Sequence, residues 1–149
     1  MSNFRDLGGI PTEDGGRISA GRIYRGEAPH GADDPAWGGI LERGIRVICD
    51  LRGATERERR PNVAPIGGPE VLGLPILPDG RTNGGPAMSR LASDPTGDLA
   101  RDHLAGNYDL MAAGALEALP TVASRLIDAG DVPLMVCCFE GKDRTGFVC

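Results

Sequence analysis

Val132-Pro133-Leu134-Met135-Val136-Cys137 runs without a break into Cys138-Phe139-Glu140-Gly141-Lys142-Asp143-Arg144-Thr145-Gly146. The first six residues are short and apolar, which predicts a buried strand. A glycine-containing loop follows at once, and a helix is expected to begin near Arg144. Strand, tight loop and helix in that order put the loop beyond the carboxyl end of the strand. Ligands sit there in parallel α/β sheets.

Outward from this stretch, Ile45-Arg46-Val47-Ile48-Cys49-Asp50-Leu51 is a second buried-strand pattern. Between the two, Asp98 to Ala129 reads as helical, with Gly130 closing it. Leu116, Leu119, Val122, Ala123, Leu126 and Ile127 fall on one helical face, and Pro120 either kinks this helix or begins another. Thr55 to Arg60 predicts a short exposed helix ended before Pro61. Val71 to Leu77 is a further strand candidate, with Pro75 pointing to an edge or a strand end. Residues 78–97, rich in Pro, Gly, Asn, Asp and Ser, are expected to be the least ordered stretch, a loop beside the site. Upstream, Ile23-Tyr24-Arg25 suggests a short strand. Asp33-Asp34-Pro35 opens a helix with Trp37, Ile40 and Leu41 on its apolar face and Gly44 at its stop. Strands alternating with helices predict an α/β fold with a mostly parallel central sheet and flanking helices.

The length of 149 residues suits one domain, residues 1–149. A net charge of −5 argues against non-specific binding to nucleic acid or to anionic membranes. No apolar run is expected to span a membrane, and the opening residues lack an apolar signal region. The expected address is the cytoplasm, where Cys49, Cys137, Cys138 and Cys149 stay reduced. Their spacing is not that of a zinc site, so neither metal nor cofactor is expected. A bridge from Cys138 to Cys137 or to Cys49 is a redox alternative. His30 and His103 read as surface residues.

The loop carries the chemistry. A phosphate monoester resists hydrolysis, and a cysteine route divides the work into two displacements. Cys138 would supply a thiolate. Residues Phe139 to Arg144 can wrap one phosphate with inward N–H groups. Gly141 permits the bend, Arg144 offers a planar fork for two oxygens, and Thr145 could bond the sulfur. The positive end of the following helix favours the anion and the thiolate alike.

Cys138-x-x-Gly141-Lys142-Asp143-Arg144-Thr145-Gly146 resembles the signature of the bacterial tyrosine phosphatases of the atypical dual- or triple-specificity type. Asn3-Phe4-Arg5-Asp6-Leu7-Gly8-Gly9 is similar to that family's opening. Tyr24-Arg25-Gly26 and Asp50-Leu51-Arg52, with Glu56 behind, resemble its intermediate blocks in the right order. The resemblance implies a protein-tyrosine-phosphatase fold and action on phosphotyrosine, with phosphoserine, phosphothreonine or phosphoinositides as further substrates. It implies Cys138 as nucleophile, Arg144 as phosphate clamp and Asp143 as general acid. Asp79, in Pro78-Asp79-Gly80, stays open as the alternative acid. Lys142 looks like a second cation for an acidic substrate.

Two departures stand out. Cys137 occupies the place of the family's histidine. The chain also ends six residues into the helix after the loop, which suggests a domain incomplete at its C-terminus. Strand ends at Leu51 and Cys137 would then face solvent and invite association. The alternatives to an active enzyme are an inactive phosphate-binding module and a non-functional fragment. Sulfur-transfer or arsenate-reducing chemistry is a rival that does not call for Gly-Lys-Asp-Arg-Thr-Gly. The expected partner is a phosphorylated protein or phosphoinositide, with the oligomeric state left open.

Overall fold

A computed structural model of the chain describes residues 1–79, 86–128 and 133–149. Five strands form one sheet: β1 (Arg5–Asp6), β2 (Ile23–Glu27), β3 (Val47–Asp50), β4 (Glu70–Gly73) and β5 (Leu134–Cys138). Their order is β1-β2-β5-β3-β4. β5 is central and parallel to both β2 and β3, while β1 alone is antiparallel, on β2. The helices are α1 (Ala36–Glu42), α2 (Ala54–Arg59), α3 (Pro86–Ala92), α4 (Asp98–Asp128) and α5 (Asp143–Val148). The expected mixed, mostly parallel α/β architecture is present.

Side chains of β3 and β5 alternate between two apolar clusters, which is why both strands read as continuous hydrophobic runs. Val47, Cys49, Leu134, Val136 and Cys138 meet Met111, Ala118 and Val122 of α4 on one face. Ile48, Met135 and Cys137 meet Trp37 and Ile40 of α1 on the other. Pro35 stands at the cap position of α1, and Asp34 before it accepts the Ala36 N–H at 2.8 Å. Gly44, at φ 66°, ends that helix in the left-handed conformation.

Several expectations need correction. Residues 78–97 are not wholly irregular, because α3 lies within them. Of the two readings left open for Pro120, the structure has it inside one helix. The buried stripe of α4 is Met111, Ala115, Ala118 and Val122, not the leucine-rich face; Leu116 is 75% exposed and Ile127 77%. Close approach is the reason. A Cβ on Gly114 would stand 2.5–2.8 Å from the Ile76 backbone, so this helix packs through its small residues. α4 is also long and apolar enough, by length and composition, to cross a bilayer, contrary to the sequence reading. In the fold it rests on the sheet instead. Leu51 and Cys137 are fully buried, so apolar exposure lies on α4 and not at the strand ends. Leu41 is exposed rather than on the apolar face of α1. Gly80, Gly130 and Val132 lie outside the described residues.

The contact at Gly114 reverses an ordinary trend. Alanine favours a helix over glycine by about 1 kcal/mol, yet Gly114→Ala must push α4 off Ile76. It is expected to destabilise by about 1–3 kcal/mol. Gly38→Ala, where a Cβ meets nothing within 4 Å, is expected to stabilise by up to about 1 kcal/mol. Urea unfolding of both variants checks this. A raised midpoint for Gly114→Ala would remove the close approach.

Candidate active site

β5 ends at Cys138, and its parallel neighbours continue the ladder around it. Ala28 N–H donates to the Cys138 carbonyl and Leu51 N–H to the Cys137 carbonyl, both at 2.8 Å. The chain then turns through Phe139, Glu140, Gly141 and Lys142 into α5. Gly141 has φ 66°, and a Cβ there would lie 2.1 Å from the Gly26 carbonyl carbon. Glycine is required twice over, by the left-handed backbone and by contact with β2.

Two side chains grip the loop from outside. Arg25 on β2 is 8% exposed, and its Nη2 donates to the carbonyls of Gly141 and Lys142, each at 2.9 Å. Asn3 Nδ2 donates to the Glu140 carbonyl at 2.8 Å. Neither role is assigned by the sequence reading, although both residues lie in the quoted blocks. The available signal was Arg25 itself, an arginine inside a strand with apolar neighbours.

Arg144 comes back over the site and is buried. Its Nη1 and Nη2 donate to the two oxygens of Glu56 at 2.6 and 2.8 Å. Burial would raise the Glu56 carboxyl, but the bond and charge of Arg144 outweigh it, aided by the Gly53 N–H and Arg52. The net shift is downward. For Arg144, burial pulls down, while Glu56 and then charge on Cys138 push its net value up. Glu56 lies on α2, which is fixed at both ends. Asp79 accepts the Thr55 N–H at 3.2 and 3.3 Å at the helix start. At the other end, Arg52 donates to the Arg60 carbonyl at 2.9 Å and to the Asn62 amide oxygen. Arg52 itself forms a wholly buried ion pair with Asp50 at 2.7 Å.

The remaining candidates separate. Asp143, at the start of α5, and Lys142 before it are exposed. Asp143 has no hydrogen-bond or ion-pair partner among the described residues. Asp79 is committed to α2. Thr145 is fully buried, but its hydroxyl has no hydrogen-bond partner, so the expected bond to the Cys138 sulfur is not formed. Cys138 and Cys49 lie on the same face of the sheet, both as free thiols. Cys137 and Cys138 are successive strand residues that point apart, so they cannot be bridged without breaking the strand. Burial, then the charge of Asp50, pushes the Cys137 thiol well up. Burial raises Cys49 to about 12. Neither is a ready nucleophile.

His30 is not a surface residue. Both ring nitrogens are shielded and lack hydrogen-bond partners, the nearest carboxylate being Glu27 at 3.6 Å. Its ring lies 6.1 Å from that of Phe139, over which the Arg60 guanidinium sits at 4.7 Å. Burial, then Arg52 and Arg60, lowers its pKa.

A profile of the tyrosine phosphatase family matches residues 1–149. The triple specificity protein phosphatase PtpB of Mycobacterium tuberculosis is 30% identical over 98% of this chain and 58% of its own length. An inferred tyrosine-protein phosphatase of Cupriavidus necator is 30% identical over 99% of this chain and 52% of its own. The chain thus spans about half the length of these relatives.

The Glu56–Arg144 pair gives stability a pH signature. A carboxylate held below its ordinary 4.5 contributes above that value and loses the contribution as pH falls through the lowered one. Glu56→Gln is expected to be less stable than the parent near neutrality, with the gap closing in acid. Denaturant unfolding from pH 7 down to about pH 3 measures it. A gap that persists unchanged would mean the pair does not hold Arg144.

Proposed function

This chain belongs to the tyrosine phosphatase family, and we propose that it hydrolyses phosphate monoesters through a phosphocysteine intermediate on Cys138. One observation carries the reading. Cys138 at the end of the central strand and Arg144 in the first turn of the next helix are both buried, and one short loop joins them.

In the first step the Cys138 thiolate attacks phosphorus and the ester P–O bond breaks. Asp143, as the acid, protonates the departing oxygen. In the second, water attacks the phosphocysteine, the S–P bond breaks, and Asp143 takes the proton from the water. Phosphate leaves and the thiolate returns. The loop N–H groups of residues 139–144 and the unpaired edge of Arg144 hold the phosphoryl oxygens throughout. Asp143 suits the acid's role because it is exposed and uncommitted, whereas Asp79 is engaged at α2.

The substrate class we assign is phosphotyrosine, with phosphoserine, phosphothreonine and phosphoinositides as wider candidates. The name of the Mycobacterium relative supports a broad range. Exposed Lys142 beside the loop would meet a second acidic group. No cofactor enters this scheme, and the place of action we assign is the cytoplasm. Binding of phosphate without turnover is the second reading, favoured by Cys137 standing in place of histidine.

Cys138→Ser is expected to lower turnover of para-nitrophenyl phosphate by at least about 10³-fold while retaining vanadate binding. Retained turnover would move the nucleophile elsewhere. Vanadate binding with no parental turnover would favour the second reading. Asp143→Asn is expected to cost about 10²–10⁴-fold with alkyl phosphates and less with aryl phosphates, whose leaving oxygen needs less protonation. Equal losses, or a larger loss from Asp79→Asn, would count against Asp143.

A further inference from the structure

We infer that Arg25 and Asn3 are positioning residues that aim the N–H donors of the phosphate loop. This rests on the phosphatase reading for its functional consequence, but not for its geometry.

In a trans peptide the C=O and the following N–H point in opposite directions. A side chain that holds a carbonyl outward therefore holds the next amide inward. Asn3 takes the Glu140 carbonyl, which fixes the Gly141 N–H. Arg25 Nη2 takes the carbonyls of Gly141 and Lys142, which fixes the N–H groups of Lys142 and Asp143. Two side chains from the N-terminal part of the chain thus act on three consecutive peptide planes, the last of them shared with α5, whose Gly146 N–H donates to the same Lys142 carbonyl at 2.8 Å. None of the described peptide bonds is cis, so the argument applies to each plane.

Arg25 also reaches the helix that follows. A Cβ on Gly146 would come within 3.0 Å of Nη2 and 3.4 Å of Nη1, so the guanidinium packs tightly against the first turn of α5 and would have to give by a few tenths of an ångström for any side chain there. The same group therefore ties the end of the loop to the turn that carries Arg144. Its position is not adjustable. β2 is in register with β5, Arg25 opposite Val136 and Gly26 opposite Cys137, so the strand pairing that places Cys138 also places Arg25. Buried carbonyls need such donors, and a charged donor gives the stronger bond.

The experiment compares the parent with Arg25→Gln, Arg25→Lys and Asn3→Ala. Each is tested for cooperative melting, amide hydrogen exchange at residues 141–143, tungstate affinity, and kcat and KM for para-nitrophenyl phosphate. Asn3 is exposed, so its variant is expected to fold even if Arg25→Gln does not. Asn3→Ala should speed exchange at Gly141 and weaken tungstate by up to about tenfold. Arg25→Gln should act at Lys142 and Asp143 and weaken tungstate by about tenfold or more. Arg25→Lys should recover part of that loss. kcat should fall more than KM rises, because the donors matter most when charge spreads over the phosphoryl oxygens. Unchanged exchange and tungstate affinity in the folded variants would overturn the inference. If the parent turns over no substrate, the phosphatase reading fails, and exchange still decides the geometry.

Discussion

At Gly141 the loop lies so close to the backbone of β2 that a Cβ would stand 2.1 Å from the Gly26 carbonyl carbon, so no side chain can fit. Everything around the site depends on that contact. It presses the loop against a strand whose register with β5 is already fixed, so loop and strand share one frame. It brings the outward carbonyls of residues 141 and 142 within reach of Arg25. It also sets where α5 starts, and hence where Arg144 returns. A side chain at residue 141 would separate the loop from its supports before disturbing any ligand.

Among the described residues, three buried arginines then divide the polar work. Arg25 supports the loop, Arg52 anchors the segment after α2, and Arg144 binds Glu56 on α2. Each is answered by carbonyls or a carboxylate, as burial of a guanidinium requires. Asp50–Arg52 lies beside the end of β5, with Asp50 opposite Cys137, and it fixes residues 60–62 and so the helix that bears Glu56. The short charged helix α2, which has no buried residues, is held almost wholly by polar contacts. Its place in the fold is therefore a matter of hydrogen-bond geometry more than of apolar packing.

The sheet was legible because β3 and β5 are buried on both faces, and such strands leave continuous apolar runs. The loop was legible because its glycine, arginine and cysteine are local in sequence. What lies between was harder to read. α4 packs through Ala115, Ala118 and Gly114, and small residues give no periodic signal, so the leucine stripe misled the choice of face. Asn3 and Arg25 act on the loop across more than a hundred residues, a relation that only the β2–β5 register creates. The shielding of the His30 ring nitrogens accompanies Phe139 and Arg60 arriving beside it, and nothing near residue 30 announces either.

The bidentate bond between Glu56 and Arg144 has a consequence for molecular recognition. An arginine side chain carries about 2 kcal/mol of rotamer entropy, which a ligand must normally offset when it immobilises the group. Here that freedom is already lost on folding, because the carboxylate fixes the guanidinium end-on through two of its five N–H groups. The other edge of the fork is left pointing in a set direction. An anion arriving there meets a preorganised donor, and its binding energy can go into contact rather than into ordering.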